Sequence, residues 1–281
     1  MLTTRHGVRV LAAADLDEFL ALARRDPVVN VFAIHRAQTT SLEPRWLGGE
    51  MWGRYEGGEL VAACHVAANL VPVQATPEDA VVFAERALAR RRTASTIVGP
   101  QQAVLPFWET VGPAWGAPRD ARWDQRHLVL AGEPEVDPDP GVRLTARTDL
   151  DVLYPACVAM YTEEVGVSPE IGGGSDLYRT RVVQLISRGW SFARFDRGEL
   201  VFKAEVACAT PDAAQIQGVW VPPHRRGEGL AVSGMAAVVA HVRQRISPAV
   251  SLYVNEWNAP ARRAYERVGF RETARFATVM F

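Results

Sequence analysis

An internal repeat constrains the fold of this chain more than any other feature of the sequence. The clearest match aligns GVRVLAAADLD (7–17) with GVRLTARTDLD (141–151). A second aligns RYEGGELV (54–61) with RFDRGELV (194–201), and a weaker third aligns WETVG (108–112) with YERVG (265–269). Matches that recur in the same order indicate a duplicated fold. The sequence therefore predicts two domains built on one plan.

The segment between the two copies reads as a linker. Residues 132–141, GEPEVDPDPG, combine prolines, which restrict the backbone, with acids, which favour solvent. We therefore predict an N-terminal domain over 1–131, a linker over 132–141 and a C-terminal domain over 142–281. A length of 281 residues is also about twice that of a common single domain.

Each copy predicts the same order of elements. A strand and one or two helices precede an antiparallel hairpin and a further strand, and then come helix, strand, helix and a last strand. This is a mixed α/β (α+β) class, with a mixed central sheet flanked by helices in each copy. In the second copy one apolar stripe predicts a helix ending before Ser247, with Met235, Val238, Val239, Val242 and Ile246 on one face.

Composition excludes several other classes of protein. No apolar run reaches the ~20 residues of a membrane span, and residues 1–9 lack the pattern of a secretion signal, so we expect a cytoplasmic protein without membrane partners. With 31 basic and 32 acidic residues there is no overall field for nucleic acid. Cys64, Cys157 and Cys208 are too scattered for a disulfide framework or a zinc site. We interpret them as small buried residues, since a nucleophile would need a base and a positive environment.

The loop after the second copy's fourth strand predicts an anion site. The strand 215–221 is followed by PPHRRGEGLA (222–231) and then by the striped helix. Glycines let backbone N–H groups surround an anion, and the helix start adds positive potential, which together suit a pyrophosphate. Arg226 can add charge-assisted hydrogen bonds. A Gly-x-Gly pair alone is a weak signal, because many helices begin with glycines that only turn the chain.

The loop resembles a known motif. Strand, Arg226-x-x-Gly229-x-Ala231 and long helix are similar to the acetyl-CoA motif of the GNAT superfamily, whose pattern is Gln or Arg, x, x, Gly, x, Gly or Ala. The stretch 251–270, SLYVNEWNAPARRAYERVGF, resembles the last strand–helix motif of that family. The resemblance covers most of 142–281, and the N-terminal half shares it only in outline. The whole chain looks most like tandem GNAT proteins, above all the actinobacterial type with an extra N-terminal domain of unknown function.

The resemblance implies an N-acetyltransferase with acetyl-CoA as acyl donor, an amine acceptor and no metal. It implies that backbone at Val219, Trp220 and Val221 pairs with the pantetheine arm, with Trp220 facing either the acceptor pocket or the core. The remaining implied cofactor contacts are Arg226, Gly227, Glu228, Gly229, Leu230, Ala231 and Asn258. Asn258 could instead simply cap the helix that follows it.

Tyr265 corresponds to the tyrosine that protonates the departing CoA thiolate in the family. By spacing alone it belongs to an apolar helix stripe and reads as core.

The general base is less clear, although direct attack needs a neutral amine. Glu205, on the hairpin, is the first candidate, with an exposed strand carboxylate as the alternative. Glu163 and Glu164 could line the acceptor site or form a solvated helix end. His224 reads as a surface residue. The segment 172–174, three glycines, predicts a flexible border of the acceptor groove.

One departure concerns the acceptor. Tyr253 stands where relatives that acetylate ribosomal-protein N termini place a glutamate, which weakens any transfer of their substrate to this chain.

The N-terminal copy is expected to be silent. Its strand 71–73 runs through 76–78 into a helix without an Arg-x-x-Gly-x-Gly pattern. By the repeat, Gln101, Trp108 and His65 stand where the second copy has Asn258, Tyr265 and Glu205. We expect this copy to pack against the active half or to shape the acceptor site.

Two rivals to the acetyltransferase remain at this point. One is a non-catalytic acyl-CoA-binding sensor or partner module. The other is the tandem GNAT-like branch that transfers aminoacyl groups from charged tRNA, against which the intact loop and the balanced charge count. The acceptor amine, the acyl chain length and the choice between monomer and homodimer stay open.

Overall fold

The structure is a computed structural model that describes residues 7–281. Most of the segment in which we looked for a secretion signal, residues 1–9, lies outside this range. The first copy of the repeat has the predicted order of elements. Its strands are β1 (Gly7–Val10), β2 (Glu50–Glu56), β3 (Glu59–Val66), β4 (Asn69–Val73), β5 (Thr96–Pro100) and β6 (Asp120–Leu130). Its helices are α1 (Leu16–Ala23), α2 (Val31–Thr40), α3 (Pro44–Leu47), α4 (Pro77–Leu88) and α5 (Gln101–Trp115).

The second copy follows the same plan, and the predicted mixed α/β class is confirmed. Its strands are β7 (Val142–Leu144), β8 (Ser191–Asp196), β9 (Glu199–Ala209), β10 (Ala213–Trp220), β11 (Ala249–Asn255) and β12 (Arg271–Met280). Its helices are α6 (Leu150–Val165), α7 (Ser175–Ser187), α8 (Leu230–Arg245) and α9 (Ala259–Val268). The predicted striped helix is α8, which ends before Ser247. Four of the five stripe residues are fully buried, namely Met235, Val238, Val239 and Val242.

The repeat extends to individual ion pairs. Arg9 donates two hydrogen bonds of 2.7 Å to Asp15, and Arg143 donates a matching pair of 2.7 and 2.8 Å to Asp149. In both copies the carboxylate also accepts a backbone N–H three residues earlier, so that it fixes the turn between the first strand and the first helix. The duplication read from the sequence is thus present in side-chain contacts as well as in element order.

The chain forms two compact units whose limits differ from a simple division at the linker. Unit 1 comprises Met1–Leu128, Tyr253–Trp257 and Glu272–Phe281, and unit 2 comprises Val129–Leu252 and Asn258–Arg271. Within unit 1, β12 runs antiparallel to β5, with Phe276 opposite Pro100 and Met280 opposite Thr96. The last strand of the second sequence copy therefore completes the sheet of the first unit. Without it the backbone groups on that side of β5 would lack partners.

The order of strands can be given unit by unit. In unit 1 it is β1-β2-β3-β4-β5-β12-β6, and in unit 2 it is β11-β10-β9-β8-β7. Helices α4 and α5 bury Phe83 and Phe107 in one core of unit 1, while α1 and α2 bury Phe19 and Ile34 in another. The β12 residues Ala277 and Val279 belong to the first of these cores.

The predicted linker is held by unit 2 rather than freely solvated. The Glu135 N–H donates to the Val268 carbonyl at 2.8 Å, and the Asp139 N–H donates to the Ser233 carbonyl at 3.0 Å. The Asp139 carboxylate is buried and pairs with Arg194. The expectation that all acids of this segment face solvent is wrong for Asp139, because the Arg194 guanidinium compensates its burial.

All three cysteines are buried and form no disulfide bond within residues 7–281, as predicted. Burial raises the pKa of Cys157 and of Cys208 to about 12, and it also raises the pKa of Cys64. All three thiols therefore stay protonated at neutral pH. Among residues 7–281 no helix is both long and apolar enough to span a membrane.

The shared sheet of unit 1 makes a prediction about stability. Val279→Ala removes buried apolar volume from β12 and should lower the free energy of unfolding by about 2 kcal/mol. Because Val279 lies opposite Ile97, amide hydrogens of β5 should exchange faster in this variant. Chemical denaturation and hydrogen exchange would measure the two effects.

Val152→Ala is the matched control, since Val152 lies on α6 and 42% of it is exposed. An equal loss of stability in both variants, with β5 exchange unchanged, would contradict the pairing of β12 with the first unit.

Candidate functional site

The loop between β10 and α8 exposes a row of unbonded backbone N–H groups. After β10 a short 3-10 turn spans Pro223–Arg225, and α8 begins after Gly229, whose φ of +83° is a conformation that favours glycine. Within the described part of the chain, no acceptor is present for the N–H groups of residues 227–231. No side chain among residues 7–281 caps α8. Its positive end is therefore available to an anion.

The corresponding helix of the first copy, α4, is closed by its own residues. Thr76 caps it by accepting the Asp79 N–H at 3.2 Å, and Asp79 accepts the Thr76 N–H at 2.8 Å. Asp79 is buried and also pairs with Arg54. A carboxylate of the chain thus already occupies the position where α8 leaves room for a ligand.

In the first copy β4 pairs with β5 at Asn69 and Leu70, and β4 continues to Val73 beyond that pairing. A methyl group added at Gly99 on β5 would lie 3.5 Å from the Pro72 side chain on β4. In unit 2, β10 and β11 pair only from Ala213 to Gln215, although β10 continues to Trp220. Pairing of the fourth and fifth strands thus ends early in both copies, and the open helix end is what distinguishes the second copy.

Arg226 is held by two groups of unit 2. Its Nε donates to the Val221 carbonyl at 3.1 Å, and its Nη2 contacts both oxygens of Glu163 at 2.7 Å. Glu163 also accepts the Trp220 Nε1 hydrogen at 3.1 Å. The Arg226 guanidinium holds the pKa of Glu163 below its usual value. A carboxylate at the end of α6 therefore neutralises the arginine that would meet a phosphate.

Trp220 packs on the apolar side of this contact. Its ring lies against the core formed by α6, α7 and β8, which includes Leu153, Val182 and Ala193. Of the two orientations left open by the sequence, Trp220 thus has its ring against the core and its nitrogen at Glu163.

Tyr265 lies on α9 with only 8% of its surface exposed. Its ring packs edge-on against Phe270, with centroids 5.9 Å apart. No hydrogen-bond partner for its hydroxyl is found within residues 7–281. Burial, together with the negative charge of Glu164, raises the pKa of Tyr265, so the phenol stays protonated well above neutral pH.

Asn258 is the N-cap of α9. Its side-chain oxygen accepts the Ala261 N–H at 3.2 Å, and Pro260 follows within the first turn. The capping interaction accounts for an asparagine here. The cofactor contact implied by the family resemblance stays a prediction.

Glu205 is engaged in a buried ion pair. Its Oε1 lies 2.8 Å from Nζ of Lys203, whose side chain is fully buried. Burial alone would raise the pKa of Glu205, but the Lys203 charge and hydrogen bond lower it below its usual value. A carboxylate with a lowered pKa is a weak proton acceptor. This environment disfavours Glu205 as a general base, and the alternative of an exposed strand carboxylate is wrong.

The remaining candidates lie in ordinary surface contacts. His224 is exposed and its Nε2 lies 2.6 Å from Glu199. Glu228, within the loop, accepts hydrogen bonds of 2.9 and 3.0 Å from Arg225.

The 172–174 segment forms the end of a short 3-10 turn before α7. In unit 1, Tyr253 stacks on Phe276 with centroids 5.6 Å apart.

The first-copy counterparts of the site residues make structural contacts. His65 is buried, its Nδ1 lies 2.9 Å from the Asn69 carbonyl, and burial lowers its pKa to about 4. Gln101 donates to the Trp123 carbonyl at 2.8 Å, and Trp108 packs 5.9 Å from Phe281.

Sequence reasoning missed Lys203 and the pairing of Arg226 with Glu163. A signal for the first was present, because Lys203 is the only lysine in the chain. The second joins residues 63 positions apart, and no local pattern indicates it.

Comparison with known families gives two matches. Residues 49–153 match a domain of unknown function, DUF4081, and residues 197–279 match the family described as FR47-like protein, which is of the GNAT type. No curated protein matches the chain. The predicted resemblance, including the extra N-terminal domain of unknown function, is confirmed.

Solved structures share the fold over nearly the whole chain. A GCN5-related N-acetyltransferase from Sphaerobacter thermophilus is 18% identical with a TM-score of 0.60, covering 99% of this chain and 96% of its own. A GNAT-family acetyltransferase from Colwellia psychrerythraea is 14% identical with a TM-score of 0.58, covering 98% and 99%. A tandem GNAT protein from the clavulanic acid biosynthesis pathway is 18% identical with a TM-score of 0.54, covering 98% of each chain. The fold is therefore that of tandem GNAT proteins.

The contrast between α8 and α4 can be tested with inorganic pyrophosphate. We expect it to shift the NMR amide signals of residues 227–231 and to leave those of residues 76–80 unchanged, because only the former N–H groups lack acceptors. Glu163→Gln removes the competitor for Arg226 and should tighten pyrophosphate binding by up to about fivefold, the value of an exposed ion pair.

Glu164→Gln, the neighbouring acid, is the matched control for charge. Equal shifts at both helix ends, or equal tightening in both variants, would contradict this assignment of the anion site.

Proposed function

We propose that this chain, which has the fold of tandem GNAT proteins and an FR47-like domain at residues 197–279, is an acetyl-CoA-dependent N-acetyltransferase. The single observation that carries the proposal is the uncapped N-terminus of α8 beside Arg226. Backbone donors, a helix end and a guanidinium together fit the pyrophosphate of CoA. When bound, acetyl-CoA supplies the acetyl group as a thioester.

In this proposal Arg226 exchanges partners. The guanidinium leaves Glu163 for the pyrophosphate, while residues 227–231 donate their N–H groups. The exposed Arg226–Glu163 pair is a modest competitor, because exposed ion pairs are worth about 0–1 kcal/mol. A multiply charged ligand that also meets several backbone donors can displace it.

Backbone at the end of β10 is proposed to hold the acyl arm. The loss of pairing with β11 after Gln215 supports this, since the β10 groups that face β11 from Ile216 onward are not committed to that strand. Val219, Trp220 and Val221 are the residues concerned, and an N–H there would polarise the thioester carbonyl.

Tyr265 is proposed as the general acid. A buried phenol with a raised pKa keeps its proton at neutral pH, and a hydroxyl that has no partner among the described residues can donate that proton to the departing thiolate. The amine attacks directly in a ternary complex. Its proton passes to water or to a carboxylate at the end of α6, Glu163 or Glu164, since Glu205 is already paired.

The first copy is proposed to bind no acetyl-CoA. The Thr76 and Asp79 cap on α4 supports this. The alternative function, an acyl-CoA-binding sensor, would use the same loop without turnover, so binding and catalysis have to be measured separately.

Calorimetric titration with acetyl-CoA tests the donor site. We expect one site per chain, abolished in Gly229→Trp, because a bulky side chain at this positive φ blocks the loop. Gly116→Trp, a positive-φ glycine at the end of α5, is the matched control and should retain the site. Absence of binding to the unmodified chain would contradict the acetyltransferase proposal, and a site that survives Gly229→Trp would place the donor elsewhere.

Tyr265→Phe separates the enzyme from the sensor. Removing the proton donor should lower kcat by roughly 10²-fold or more, with little change in the Kd for acetyl-CoA. The readout is release of free CoA thiol across a panel of primary amines, with Tyr55→Phe in unit 1 as the control. An unmodified chain that binds acetyl-CoA but consumes none with any amine would favour the sensor.

A further inference from the structure

The only lysine of the chain lies in the interior of unit 2. Lys203, on β9, has none of its surface exposed. Its Nζ donates to Oε1 of Glu205 at 2.8 Å and to the carbonyl of Gly218 at 2.9 Å. Every other basic side chain that the composition counts as Lys or Arg is an arginine. The chain therefore has a single lysine ammonium, and this compact group links β9 to β10.

Glu205 ties the same cluster to further elements. Its Oε2 accepts the Gln217 Nε2 hydrogen on β10 at 3.3 Å, and the Cys157 thiol on α6 lies 3.8 Å from Oε1. The Arg181 charge also acts on Glu205. Burial would discharge either partner alone, but each charge keeps the other ionised. The pair is therefore a neutral unit buried between β9, β10 and α6.

The carbonyl that Lys203 binds belongs to a β-bulge. Gln217 pairs with Glu205, but the next pair on β10 is Trp220 with Lys203, so β10 has one residue more than β9 between the two. Gly218 provides the extra residue, with a φ of +60°. A methyl group there would lie 3.1 Å from Nζ of Lys203 and 3.2 Å from Cδ of Glu205. Lys203 thus satisfies a carbonyl that the bulge removes from the ladder.

The first copy provides an internal comparison. Its β3 and β4 pair without interruption, with Ala63 opposite Val73 and His65 opposite Val71. By the repeat, Ala63 and His65 take the places of Lys203 and Glu205. The copy with a closed helix end has neither the bulge nor the ion pair, and the copy with an open helix end has both.

A purely stabilising role is a poor explanation for this pair. The desolvation of two charges offsets most of their attraction, and apolar residues of similar size often stabilise a core as well or better. A fixed bulge, however, determines which backbone groups of Val219–Val221 are presented beyond it.

We propose that the Lys203–Glu205 pair is a positioning device that holds the Gly218 bulge, so that β10 presents its next residues to the acyl donor. The proposal rests on the proposed acetyl-CoA function. In it Glu205 touches no substrate and transfers no proton.

The test uses the full chain with the double variant Lys203→Met/Glu205→Gln, which removes both charges at nearly constant volume. The first readout needs no ligand: amide hydrogens of Gly218–Val221 should exchange faster, while those of α8 keep their protection. The second is the Kd for acetyl-CoA, expected to rise roughly tenfold to a hundredfold, the value of about one or two hydrogen bonds from misplaced backbone groups. Arg243→Met/Glu133→Gln removes another ion pair of unit 2 and serves as the matched control.

The single variant Glu205→Gln distinguishes positioning from general base catalysis. Positioning predicts a raised KM for acetyl-CoA, with the shape of the pH profile of kcat unchanged even where kcat itself falls. A large fall in kcat with loss of the acidic limb of that profile would overturn the proposal in favour of a base. Unchanged exchange at Gly218–Val221 in the double variant would also overturn it. Because exchange is measured without ligand, that result is independent of whether the unmodified chain binds acetyl-CoA.

Discussion

Backbone pairing at β5 is the constraint on which unit 1 depends. A strand at the edge of a sheet leaves its N–H and C=O groups open to water and to other chains. Here β12, from the far end of the sequence, occupies that edge along the length of β5 and brings Ala277 and Val279 into the core. The sheet of the first sequence copy thus includes a strand from the second copy, and Glu272–Phe281 belong to unit 1. The limits of the two compact units therefore differ from the limits of the two sequence copies.

The two copies show how one scaffold can be open or closed to an anion. Both have a helix that follows the fourth strand, and both helix ends carry the same positive potential. At the start of α4 the Asp79 carboxylate accepts the Thr76 N–H and offsets the positive potential of the helix end, and Arg54 balances the charge of Asp79. In α8 glycines replace the cap and the N–H groups stay uncommitted. A few residues at the helix start therefore decide whether the dipole stabilises the fold or is left for a ligand.

Much of the fold could be predicted from the sequence, because it is encoded locally. The repeat, the apolar stripe of α8 and the glycines of the loop each depend on residues close together in the chain. What escaped prediction depends on long-range pairing. Tertiary packing determines three features: the place of β12 in the sheet of unit 1, the contact between Glu163 and Arg226, and the burial of Glu205 beside Lys203. Glu205 alternates with apolar residues as a half-exposed strand residue would, and only the structure shows that a helix covers it.

The solitary lysine has a consequence for how this chain meets reactive acyl compounds. Thioesters and activated esters modify proteins chiefly at lysine side-chain amines, and in this chain that amine is sealed between β9, β10 and α6. A folded molecule therefore presents no lysine to spontaneous acylation. Amine-reactive reagents would modify Lys203 only after the sheet opens. Labelling of this residue would therefore report unfolding of unit 2.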